Sequence, residues 1–96
     1  MTITEAAKLI HENARNKGFW DESRNFGEIL ALIHSEVSEA LEAYRNGNDA
    51  EIGEELADIV IRTFDLAMGW GIDIEDEMLK KMVYNTTRPR MHGKRC

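Results

Sequence analysis

Apolar residues return along this chain every three or four positions, in four stretches separated by short glycine- and asparagine-bearing connections. That period is helical, since a half-buried strand would alternate at every second residue. The first stretch carries Ile3, Ala6, Ala7, Ile10 and Ala14 on one stripe. Thr2, with Glu5 three residues on, has the form of a capping box, and Gly18 marks the stop. The second stretch carries Leu30, Ile33, Val37, Ala40, Leu41 and Tyr44, close to a heptad seam, opened by Asn25 with Glu28 and closed at Asn46-Gly47. The third carries Ile52, Leu56, Ile59, Val60, Thr63, Phe64 and Ala67 and ends at Gly69-Trp70-Gly71. The fourth opens at Asp73, with Glu75 and Asp76 near the positive end of its dipole. It buries Ile74, Met78 and Met82 and should fray before Arg88-Pro89.

The second and third helices are the long ones, and a short turn between them predicts an antiparallel hairpin. The expected architecture is all-α, a four-helix, bundle-like single domain over residues 1–96 with that hairpin at its centre. A basic tail begins at about residue 85. The long seam of Leu, Ile and Val offers more apolar helix face than one small core needs, which predicts a homodimer or a dimer of dimers.

Composition narrows the function classes. A chain of 96 residues fits one domain, and with 43% hydrophobic and 31% charged residues it reads as globular rather than disordered. A net charge of −6 argues against binding a nucleic-acid polymer. The charge is uneven, however: Lys80, Lys81, Arg88, Arg90, Lys94 and Arg95 fall in a segment without a single acid. The lone cysteine, Cys96, leaves no internal disulfide, in keeping with a reducing compartment. The N-terminal stretch is broken by charges and is no signal peptide, and no apolar run approaches a membrane span. The expected address is the cytoplasm.

One short phrase occurs twice. Glu36-Val37-Ser38-Glu39 is followed nineteen residues later by Glu55-Leu56-Ala57-Asp58. At about 100° per residue, Glu36 lies about 100° from Val37 and Glu39 about 160° away on the same side, and the same offsets hold around Leu56. Each first acid therefore borders an apolar seam, and in an antiparallel hairpin the two edges can converge. Four bare carboxylates in one groove would repel one another, so a positive charge is expected between them. Oxygen donors alone favour Mg²⁺, with Mn²⁺ able to substitute; zinc would ask for His or Cys, and a di-iron bundle site for Glu-x-x-His. The residues alone leave two readings open, a metal site and acids that are merely solvated.

In this context the acids resemble a known signature. Glu36-x-x-Glu39, then Glu55-x-x-Asp58, set in "LIHSEVSEALEAYR" and "EELADIVIRTFDLA", is similar to the MazG-like all-α nucleoside triphosphate pyrophosphohydrolases, above all to the short single-domain members frequent in phages. The tail, Lys81-x-x-x-Asn85-x-x-Arg88 followed by His92-Gly93-Lys94, is similar too. One departure is Ser35, where many members carry a further acid before Glu36.

The resemblance implies Mg²⁺-dependent hydrolysis of a nucleoside triphosphate, often a deoxy one, to the monophosphate and pyrophosphate. It implies Glu36, Glu39, Glu55 and Asp58 as metal ligands, and Lys81, Asn85 and Arg88 as phosphate or sugar contacts. Sites in related proteins are completed across subunits. Glu39, the outlying acid of its pair, is the candidate proton acceptor from water, although the sequence does not separate it from Glu36. Trp20, in the connection between the first two helices, is placed to stack a base or to plug the core. His11 and His34 read as ordinary surface or interface residues. The rival class is a non-catalytic helical dimer acting as an interaction or metal-binding module.

Overall fold

The computed structural model describes residues 1–95; Cys96, on which the expected absence of a disulfide turns, lies outside the described residues. The chain is all-α: α1 (Ile3–Asn16), α2 (Phe26–Arg45), α3 (Asp49–Gly69) and α4 (Ile74–Thr86), followed by a 3₁₀ turn at Arg90–Gly93. Among the described residues no helix is long and apolar enough to cross a membrane.

The helix starts follow the caps legible in the sequence. Thr2 accepts from the backbone N–H of Glu5, Asn25 from that of Glu28, and Asp73 from that of Asp76. Each satisfies a donor that the first turn leaves without an intrahelical partner. Between α2 and α3, Gly47 takes φ +72°, a left-handed conformation that glycine adopts without steric cost. This turn folds the two long helices into the expected antiparallel hairpin. At its far end Phe26 and Trp70 meet edge to face, with centroids 4.7 Å apart.

α3 is the central helix, packed by α2 on one side and by α1 on the other. α4 is held at the N-terminus of α1. There one Glu75 oxygen accepts from the backbone N–H groups of Ile3 and Thr4 (3.0 and 3.4 Å), and the other from the Thr4 hydroxyl (3.0 Å). A carboxylate at that position also complements the positive end of the α1 dipole.

The inward faces differ from the predicted stripes. On α2 the buried residues are Ile29, Glu36 and Ala43, with Ile33 and Ala40 half-buried. Leu30, Val37, Leu41 and Tyr44, expected at the centre of the seam, are exposed, Val37 at 49% and Tyr44 at 69%. The stripe is real, but the helix is turned by less than one residue step, roughly 65°, so Ile29, Glu36 and Ala43 take the inward places expected for Leu30, Val37 and Tyr44 while Ile33 and Ala40 stay at the seam. On α3, Leu66 and Ala67 are buried while Leu56 and Val60 are exposed. On α4, Ile74 and Met78 are half-buried, but Met82 is exposed along with Leu79 and Val83, because α4 touches its neighbours over only part of its length.

Trp20 lies across Gly69, where a side-chain methyl would collide with the indole ring. Gly53 sits on the same helix with open space around it. Gly69→Ala should therefore destabilise the fold by about 1–3 kcal/mol through overpacking. Gly53→Ala should stabilise it by about 0.5–1 kcal/mol through helix propensity. Urea unfolding of the two variants measures both signs, and a Gly69→Ala protein as stable as wild type would contradict the Trp20 packing.

Candidate metal centre

The carboxylates are placed by the hairpin. Glu36 and Glu39 lie one turn apart on α2, and Glu55 is in the second turn of α3, which runs back alongside. One oxygen from each of Glu36, Glu39 and Glu55 lies within 4.8 Å of the others. Glu36 is the only buried charged residue among those described, at 7% exposure, whereas Glu39 is exposed and Glu55 half-buried. The first acid of the pair, expected at the edge of the seam, thus sits inside it.

Asp58 stands outside this close trio. It lines a cavity of about 270 Å³ next to Glu36, between α1, α3 and the connection that precedes α2. Ile10, Phe19 and Ile61 give that cavity an apolar wall, and Glu36, Asp58, Arg62 and Asp65 a polar one. Its size is near the roughly 300 Å³ at which small-molecule sites begin.

The residues present fit a hard divalent cation. The trio offers oxygen donors only, and Oε2 of both Glu36 and Glu55 is buried without a hydrogen-bond partner. A buried carboxylate oxygen left bare is costly, and three acids at this spacing repel. The cost is visible at Glu55. Its carboxyl is held above the ordinary carboxylate range, first by desolvation, then by the nearby Glu39, and further by Asp58 and Glu36.

Part of the expected positive charge is supplied by the chain itself. Arg62 Nε donates to Glu36 Oε1 at 2.7 Å. Sequence reasoning missed Arg62, although it lies four residues after Asp58 and seven after Glu55 and so shares their face of α3. Asp65, seven after Asp58, lies on that face as well. It accepts from Trp20 Nε1 with both oxygens (2.9 and 3.1 Å), and His11 Nδ1 lies 2.8 Å from Oδ1. An ionised carboxylate only accepts, so Nδ1 carries the proton in this contact. His11 is thus not an ordinary surface residue: it is half-buried, paired with Asp65, and edge-on to Trp20 at 5.2 Å. Nothing in the spacing of α1 pointed to it. His34 is exposed.

The α4 residues gather elsewhere. Lys81 Nζ and the Arg88 guanidinium lie 4.9 and 5.4 Å from the Tyr84 ring centre, within cation–π range. Asn85 is half-buried, with Oδ1 unpartnered. Among the described residues, the cavity that holds Glu36 and Asp58 is not lined by Lys81, Asn85 or Arg88.

The MazG-like family profile matches residues 27–95, a span that includes all four acids and the basic tail. The chain belongs to the MazG-like family. No curated protein and no solved structure matches it. MazG-like proteins are in general nucleotide pyrophosphohydrolases and typically metal-dependent. His11 and Trp20 lie before the matched span, so the MazG-like assignment rests on α2, α3, α4 and the tail.

Glu55→Gln removes one charge from the trio and keeps the shape. A carboxyl whose folded pKa is raised above 4.5 stabilises the fold below that value, and the contribution is lost as pH rises through the folded pKa. Wild-type protein without metal should therefore melt lower at neutral pH than just above pH 4.5 on this account, and Glu55→Gln should lack that part of the dependence. At neutral pH the metal-free variant should melt at or above wild type. Mg²⁺ at a hundred times its dissociation constant should add about 2.7 kcal/mol to wild type and much less to the variant. Thermal melts with and without Mg²⁺ measure this, and equal Mg²⁺ responses would exclude Glu55 as a ligand.

Proposed function

We propose that this protein is a Mg²⁺-dependent nucleoside triphosphate pyrophosphohydrolase, converting a ribo- or deoxyribonucleoside triphosphate to its monophosphate and pyrophosphate. The observation that carries the reading is Glu36, a buried carboxylate with one bare oxygen, grouped with Glu39 and Glu55 in a MazG-like chain. Glu36, Glu39 and Glu55 would hold the cation, with Asp58 next to them on α3. A divalent cation held there would supply charge neutralisation to the phosphates and orientation for in-line displacement, with Mn²⁺ able to replace Mg²⁺.

The remaining work falls to side chains. Glu39 is the exposed member of the trio and so the one open to water; it accepts the proton as water adds to phosphorus and the bond to the pyrophosphate oxygen breaks. Lys81 and Arg88, arrayed on Tyr84, bind the phosphates through charge-assisted hydrogen bonds, and Asn85 offers a polar contact beside them. Trp20, expected either to stack a base or to plug the core, packs over Gly69 with its indole N–H on Asp65. It does not line the cavity beside Glu36, so its part in the site is to hold Asp65. Incubation with nucleoside triphosphates and Mg²⁺ should yield monophosphate and pyrophosphate. Diphosphate as the first product would refute the cleavage position, and no turnover across a panel of nucleotides would leave an interaction module.

We further propose that the working unit is a homodimer or a dimer of dimers, in which one copy's tail serves the carboxylates of another. Leu30, Val37, Leu41 and Tyr44 of α2 expose a continuous apolar face, joined in character by Leu79, Met82 and Val83 of α4. The acidic trio and the basic tail are complementary in charge, yet they do not share a cavity within one chain. Glu55→Gln and Arg88→Ala should each abolish or sharply reduce turnover. Mixed and re-equilibrated, the two should regain about a quarter of wild-type activity, because half of the dimers pair one intact tail with one intact trio. A monomer by light scattering at micromolar concentration, or no regain on mixing, would contradict the assembly.

A further inference from the structure

Arg62 makes a contact that no hydrolase chemistry in the carboxylate trio requires, and its geometry assigns it a role. Side chains on a helix lean toward its N-terminus, so Arg62 reaches back along α3 toward the level of Asp58 and Glu55. There Nε donates to Glu36 Oε1 at 2.7 Å, across the hairpin and 26 residues away in sequence. Glu36 is more than nine-tenths buried, and among the described residues its carboxylate has no other hydrogen-bond partner; its second oxygen is buried and bare. The Arg62 side chain is 39% exposed and lies along the cavity that Asp58 and Asp65 also line.

Resting on the metal-site reading above, we propose that Arg62 is the positioning residue of that site. By holding Oε1 of Glu36 through Nε, it fixes the rotation of a carboxylate that Glu39 and Glu55 would otherwise push away, and it leaves Oε2 free for the cation. One carboxylate thereby links a guanidinium and a metal ion. The planar fork of arginine suits this role, because its Nε–H direction is set by the plane of the group, whereas a lysine ammonium supplies charge without a fixed direction. A partner outside the ligand set that orients a ligand commonly changes metal affinity ten- to a hundredfold when removed. The cation's own repulsion by Arg62 is weakened by solvent, since the guanidinium is partly exposed while the carboxylate it holds is not.

The test is Mn²⁺ binding to the full chain, followed by electron paramagnetic resonance and calorimetry, with circular dichroism to check the fold. Arg62→Gln should weaken Mn²⁺ binding by about ten- to a hundredfold, and Arg62→Lys should recover part of the loss. In a Glu36→Gln background the further change Arg62→Gln should have little effect on Mn²⁺ affinity, because the group that Arg62 orients is no longer a carboxylate ligand. Unchanged or tighter Mn²⁺ binding in Arg62→Gln would overturn the proposal, the latter showing that Arg62 acts only as a repelling charge. An equal loss in both backgrounds would overturn it as well, since the effect would not pass through Glu36. Should Arg62→Gln fail to fold, Arg62→Lys decides: an affinity intermediate between wild type and Glu36→Gln supports the role, and wild-type affinity refutes it. Wild-type protein that binds no Mn²⁺ would instead remove the metal site itself, an outcome distinct from every variant result.

Discussion

A carboxylate inside a helix–helix seam is tolerated only when its charge is answered, and Glu36 in the α2–α3 hairpin is such a group. Arg62 answers one oxygen, and the other is left bare beside two further acids. The rest of the arrangement accommodates that choice. α2 turns Ile29, Glu36, Ala40 and Ala43 inward, and Leu30, Val37 and Leu41 are left exposed. Replacing a buried ion pair by well-packed apolar residues is often neutral or stabilising. The acid is therefore evidence of function rather than of stability.

α3 carries the polar side of the site along a single face: Glu55, Asp58, Arg62 and Asp65 follow at helical spacing. Each engages a different neighbour. Glu55 meets the acids of α2, Arg62 holds Glu36, and Asp65 ties down Trp20 and His11. One helix thus aligns a carboxylate cluster, an adjoining cavity and the connection between α1 and α2. The Trp20 ring lying over Gly69 fixes that connection from the other side. The cavity next to the acids is consequently walled by elements anchored to α3.

Charge is separated along the chain in a way that suits a polyanionic substrate. On the proposed function, acids alone would repel a triphosphate, and a cation held by the trio would reverse that locally. The tail contributes fixed positive charge, organised around Tyr84. Among the described residues the tail does not line the cavity beside Glu36, and the apolar residues exposed on α2 and α4 are the surface on which the proposed assembly of copies rests.

The sequence by itself determined the four helices, their caps and the hairpin, because these depend on neighbours within a few residues: Thr2 with Glu5, Asn25 with Glu28, Asp73 with Asp76, and a glycine at the turn. It also determined that two acid pairs hold matching positions on consecutive helices, which needs only the helical repeat. What it left open was rotation about each helix axis. The apolar band on α2 is wide enough to centre on Val37 or on Glu36, and periodicity reports a band without saying which neighbour covers which half. That was decided by packing against α3, through residues 26 positions apart that find each other only in three dimensions. The same is true of Arg62 and His11. Their roles lie in partners on other helices, and no local pattern encodes a partner that only folding brings near.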